Sequence, residues 1–130
     1  MSTNIDIAKT YIRAAQTGDQ ALLASAISPD VIWHQPGVNR FSGTHRGLAA
    51  VGAMLGGMME VSKGSFSITR ADHYMANGDR VAIQLAFAAE RDGIRLDQPG
   101  VDLMRIVDGK IVEVWLFSSD QAAEDQFWGM

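Results

Sequence analysis

Three dipeptides, Asn77-Gly78, Asp92-Gly93 and Asp108-Gly109, punctuate the second half of the chain. Asn-Gly and Asp-Gly supply the backbone conformations of a two-residue hairpin turn. Runs rich in β-branched and aromatic residues flank each of them. The region therefore reads as an antiparallel meander with strands near residues 65–76, 80–91, 95–107 and 110–118. Consecutive hairpins commit this half to one sheet and leave the first half to cover one of its faces.

That first half reads as largely helical. Thr3 or Ser2 can cap an opening helix with Asp6 in its first turn. Ile5, Ala8, Ile12 and Ala15 repeat at helical spacing, Tyr11 lies beside the stripe, and Gly18 ends it. Asp19 caps a second helix with Leu22, Leu23, Ala26 and Ile27 on one face, stopped by Pro29-Asp30. A strand over 30–35 is cut off by Pro36-Gly37, and a polar loop from Gly37 to Gly47 carries Phe41. A third helix, Leu48 to Glu60, offers Val51, Leu55, Met58 and Met59 for burial but is weakened by Gly52, Gly56 and Gly57. Ser119 or Asp120 caps a last short helix with Phe127 and Trp128. Helices followed by a meander make an α+β arrangement. A strongly twisted sheet of this kind can curl around the first helix and leave a cone-shaped cavity.

At 130 residues the expectation is one domain, 1–130. The chain has no cysteine, which excludes disulfides, thiolate metal sites and a cysteine nucleophile. A net charge of −4 without a Lys/Arg cluster argues against a nucleic-acid partner. No apolar run is long enough for a membrane span, and the opening residues do not resemble a secretory signal. A cytoplasmic protein is expected. His34, His45 and His73 lack metal-ligand spacing, so neither a metal nor another cofactor is expected.

Strand alternation assigns faces. Asp102 shares a side with Met104 and Ile106, which suit a core. A carboxylate is rarely buried without a partner. Two readings of Asp102 stand: an acid facing a cavity, or a structural group paired with an arginine or with Tyr11. Leu85, Phe87 and Ala89 form one inner row, and Val114, Leu116 and Ser118 another. Trp33 and Gln35 share a face while His34 points the other way. Trp115 and Phe117 fall on the outer face with Glu113, where large aromatics suggest an interface.

The element order, with W-H-Q-P-G at 33–37, S-G-T-H-R-G at 42–47 and D-G-K-I-V-E-V-W followed by S-S-D-Q, resembles the SnoaL-like family. That family lies within the nuclear-transport-factor-2-like superfamily, whose members include isomerases, polyketide cyclases, hydrolases, dehydratases and non-catalytic binders. The resemblance implies a cone-shaped α+β barrel, a mostly antiparallel sheet wrapped around N-terminal helices, and a homodimer through the outer sheet face. In the ketosteroid isomerase branch, a helix tyrosine and a protonated strand aspartic acid donate hydrogen bonds to a developing oxyanion. T-Y-I-R-A-A-Q-T-G-D places Tyr11 at the phenol position, and V-D-L-M-R-I places Asp102 at the acid's. The branch's base is a carboxylate just before a proline, and here that position holds Gln35.

The resemblance thus implies a cofactor-independent acid/base enzyme of isomerase, cyclase or lyase type acting on a hydrophobic carbonyl compound. Tyr11 and Asp102 polarise the oxygen. His34 is the candidate substitute base if a bulge before Pro36 turns it inward. Trp33, Gln35, Met58, Leu85, Phe87, Met104, Val114, Leu116 and Trp128 line the site. A binding protein without chemistry is the alternative, and Gln35 suits it. An epoxide hydrolase of the limonene-oxide type would need an arginine at position 100 and a second acid. Position 100 is Gly100, and the facing Val114 and Leu116 supply no acid.

Overall fold

The computed structural model describes residues 3–130; Ser2, the alternative helix cap, lies outside the described residues. Helix α1 spans Asn4–Thr17. Thr3 and Asp6 close a reciprocal capping box, Thr3 Oγ1 accepting from the Asp6 amide and Asp6 Oδ2 from the Thr3 amide. Gly18 ends the helix in the left-handed conformation. The buried residues are Ala8, Tyr11, Ile12 and Ala14, so Tyr11 lies within the stripe rather than beside it and Ala15 is exposed.

Helix α2 is Gln20–Ala26, and strand β1 follows at once over Ile27–Gln35. The expected break at Pro29 is instead an irregularity inside the strand. Ile27 pairs with Ile111, the register shifts, and pairing resumes at Ile32. A proline lacks a donor and is tolerated at such a bulge. Strand β2, Gly43–Arg46, pairs antiparallel with β1 where only a loop was expected. Its Gly-Thr-His-Arg sequence has no apolar alternation to announce it. Helix α3 covers Leu48–Val61 and buries Val51, Met54 and Met58, while Met59 is 41% exposed rather than packed.

The meander follows as β3 (Ser67–Asn77), β4 (Arg80–Arg91), β5 (Ile94–Val107) and β6 (Lys110–Ser118), and α4 (Gln121–Trp128) closes the chain. Asp92-Gly93 and Asp108-Gly109 have φ of 51°/78° and 51°/76°, the paired positive values of a type I′ turn. In the first hairpin Asn77 pairs with Arg80, so the turn residues are Gly78-Asp79, one step later than the dipeptide suggested.

The sheet order is β2-β1-β6-β5-β4-β3. All neighbours are antiparallel except β1 and β6, which run parallel with Trp33 beside Val114 and His34 beside Trp115. The sheet curves around α1 without closing, giving the cone-shaped α+β fold. Ile27, Ile83, Met104, Ile106, Ile111, Val114, Phe127 and Trp128 are fully buried in its core.

Candidate functional site

Asp102 on β5 stands opposite Leu116, and the next inner pair toward the hairpin is Met104 opposite Val114. At the second pair side chains fill the cone completely, and both residues are 0% exposed. At the first pair it opens into a cavity of about 70 Å³. Leu85 and Phe87 from β4, Phe66 and Ile68 from β3, and Leu55 and Met58 from α3 form its apolar walls. Tyr11, Gln35, Asp102, Ser118 and Glu124 are the polar-tipped residues among its lining. Gly100 makes this end possible. A Cβ there would collide with the Phe117 carbonyl oxygen and press on the Phe87 ring.

Of the residues expected at a ligand site, Tyr11, Trp33, Gln35, Met58, Leu85, Phe87, Asp102 and Leu116 meet around this cavity. Met104, Val114 and Trp128 do not; they are core residues behind its wall. Trp128 packs on Phe41, Phe66 and Phe127. His34 also stays away. Strand alternation holds it on the outer face, where Nε2 lies 2.7 Å from Glu113 Oε2 and the ring stacks on Trp115. The irregularity in β1 falls between Ile27 and Ile32, too early to rotate His34 inward. His45 Nε2 contacts the Phe41 carbonyl at 2.8 Å, and His73 is exposed.

Asp102 is 7% exposed, and no hydrogen-bonding partner for it appears among the described residues. No fully enclosed polar side-chain atom there lacks a partner, so the Asp102 carboxyl opens onto the cavity rather than into packed protein. Burial, followed by the nearby Glu124 charge, pushes its pKa up to about 7. Near neutral pH a large fraction is therefore the neutral acid, which can donate. Burial, with a further contribution from Asp102, also drives the Tyr11 phenol well above its ordinary pKa. The phenol remains a donor throughout the physiological range.

Gln35 is oriented by its neighbour. Trp33 Nε1, which can only donate, contacts Gln35 Oε1 at 2.9 Å. This leaves the Gln35 amide NH₂ free. The donors at the cavity are thus a phenol, an amide and a carboxylic acid, a set complementary to an acceptor-bearing ligand with an apolar body.

Glu124 was not anticipated. It is 4% exposed and accepts from Ser118 Oγ at 2.7 Å, Gln121 Nε2 at 3.0 Å and Trp128 Nε1 at 3.3 Å. The available signal was its spacing, since Glu124 lies three and four residues before Phe127 and Trp128 on the same helix face. Helix α4 is itself latched to the loop after β1. Asp125 Oδ1 accepts from the Val38 amide, Asn39 Nδ2 and Gln121 Nε2. Gly37, at φ 83°, lets the loop approach so closely that any Cβ would collide with Asp125 and Gln121.

A second space of about 180 Å³ lies between α1, α2, α3 and the start of β3. Tyr11, Leu55, Met58, Phe66 and Ile68 line both spaces and form the partition between them. No group of three or more metal-ligating side chains occurs among the described residues. No helix there is long and apolar enough to cross a membrane.

A curved, unclosed sheet cupped around a helix is the fold of the nuclear-transport-factor-2-like proteins. More narrowly, the SnoaL-like domain matches residues 8–114, and the chain belongs to that family. A protein of unknown function with a cystatin-like fold from Xanthomonas campestris is 67% identical, with 99% of this chain and 100% of that one covered and a TM-score of 0.96. TerC, crystallised with polyporic acid, is 22% identical over 97% of this chain and 98% of its own, with a TM-score of 0.85. IdmH from Streptomyces antibioticus, a candidate polyketide cyclase, is 22% identical over 91% and 93%, with a TM-score of 0.76. At that identity the last two likenesses are of fold alone. No curated protein matches the sequence.

Proposed function

We propose that the protein is a cofactor-independent acid/base enzyme acting on a hydrophobic, carbonyl-bearing small molecule held in the cone. The observation that carries this is Asp102, a buried acid with its pKa near 7, facing a cavity beside the Tyr11 phenol. When a proton leaves the carbon next to a carbonyl, charge develops on the oxygen. Donors already aimed at that oxygen stabilise the charge without reorganising. Asp102 and Tyr11 supply two such donors, and Gln35 Nε2 is placed to bind a further acceptor. The likeness in fold to TerC with polyporic acid and to IdmH is compatible with carbonyl-rich ligands.

The test is exchange of the α-protons of 2-tetralone in D2O, followed by NMR. Catalysed exchange is expected in the wild type, with a loss of about 10²–10³-fold in Asp102→Ala, the usual effect of removing an oxyanion donor. A rate in that variant within a few-fold of wild type would overturn the role of Asp102.

A second reading, a binding protein without chemistry, is favoured by Gln35, an amide at the position where the isomerase branch carries its base. It predicts 2-tetralone recovered from native complexes with its α-protons unexchanged. We further propose that a second copy covers the outer sheet face, where Phe117 is 56% exposed beside Trp115. Sedimentation of a species twice the 14.1 kDa chain mass checks this.

A further inference from the structure

We propose that Glu124, from the C-terminal helix, is the proton acceptor that the Gln35 position does not supply. The inference rests on the enzyme reading above and names the missing half of its chemistry.

Geometry selects Glu124. Gln35 Oε1 is occupied by Trp33, and an amide is no base. His34 is on the opposite face of the sheet, engaged with Glu113. Among the residues lining the cavity, Asp102 and Glu124 are the only carboxylates, and they come from different elements. Asp102 is unpartnered, whereas Glu124 is held in position by three donors.

Those donors divide its oxygens unequally. Oε1 accepts from both Ser118 and Gln121, at 2.7 and 3.0 Å. Oε2 has only the long contact from Trp128 at 3.3 Å and keeps lone-pair capacity. Oε2 is therefore the atom assigned to take the proton. Two carboxyl groups in one hollow with unlike surroundings suit the division of labour in which one donates and the other accepts.

The step balances without a co-reactant. The proton on the carbon next to the carbonyl passes to Glu124 Oε2. The C–H electron pair becomes the new C=C bond, and the carbonyl π pair moves onto oxygen, where Asp102 and Tyr11 donate to it. Return of the proton to the same carbon gives exchange, and return to a conjugated carbon gives isomerisation. Nothing is oxidised or reduced.

The test uses the same 2-tetralone exchange assay with Glu124→Gln and Glu124→Ala. General-base removal is expected to cost at least about 10²-fold in exchange. Ligand-observed NMR titration should show 2-tetralone still bound. Added formate, small enough for the space vacated in Glu124→Ala, is expected to restore exchange in proportion to its concentration. A merely supporting side chain would give no such rescue. Exchange in Glu124→Gln within threefold of wild type overturns the proposal, and so does Glu124→Ala that formate leaves inactive. If the wild type exchanges, Asp102→Ala does not and Glu124→Gln does, only the role of Glu124 fails. If the wild type itself does not exchange, the enzyme reading fails with it.

Discussion

Two carboxylates on neighbouring strands show what one step of alternation does. Glu113 on β6 faces outward, 2.7 Å from His34 Nε2 and 3.8 Å from Arg105 Nη2. Asp102 on β5 faces inward and, among the described residues, meets no cation. On the outer face charge is met by charge at a partly exposed surface, where such pairs contribute little. On the inner face an acid faces a hollow, and its environment changes its protonation rather than its pairing. The same β5–β6 ladder carries both, so the contrast belongs to side-chain direction and not to the strands.

The contrast is sharpest in stability against pH. Unfolded, Asp102 titrates near its ordinary 3.8; folded, it titrates near 7. Between those values the native state keeps a proton that the unfolded chain has released, so raising the pH works against folding. The stabilisation is complete below about pH 4 and is lost as pH rises through 7, by on the order of 4 kcal/mol. Denaturant titrations across that window should show the fall in the wild type and not in Asp102→Asn. Parallel curves for the two proteins would break the comparison.

Space on the inner row is the next test. Gly100→Ala places a Cβ against the Phe117 carbonyl and the Phe87 ring. Overpacking of this kind costs about 1–3 kcal/mol. It should also weaken 2-tetralone binding, because Phe87 is pushed into the cavity. Loss of stability with unchanged affinity would separate the glycine from the site.

The smallest effect belongs outside. His34→Ala is expected to change stability by no more than about 1 kcal/mol. It should leave 2-tetralone exchange unchanged, measured side by side with the wild type. A large drop in exchange would mean that the outer cluster communicates with the cavity.

Much of the fold was legible because hairpin dipeptides and helix caps are local signals. Asp92-Gly93, Asp108-Gly109, Thr3, Gly18 and Asp120 act within a few residues of themselves. Strand β2 was not legible, since its four residues gain their strand from β1 and not from their own alternation. Period-two counting gave the directions of Asp102, Trp33, Gln35 and His34. It did not give the depth at which the cone fills. Met104 and Val114 have the inward direction of Asp102 and Leu116 yet end in solid core. Glu124 escaped because a carboxylate on a short C-terminal helix looks like a solvated group until Trp128, Gln121 and Ser118 are seen around it.

The one parallel pair in the sheet has a temporal side. Strand β1 is made before the other strands of the sheet, and its inner neighbour β6 is made after all of them. Long-range pairings of this sort are slow to form, and the apolar edges awaiting them are exposed meanwhile. Val31 and Trp33, buried in the finished sheet, must wait for Val114 to arrive. Helix α4, carrying Glu124, emerges later still. The hollow therefore takes its second carboxyl group from an element made after every strand of the sheet that holds the first.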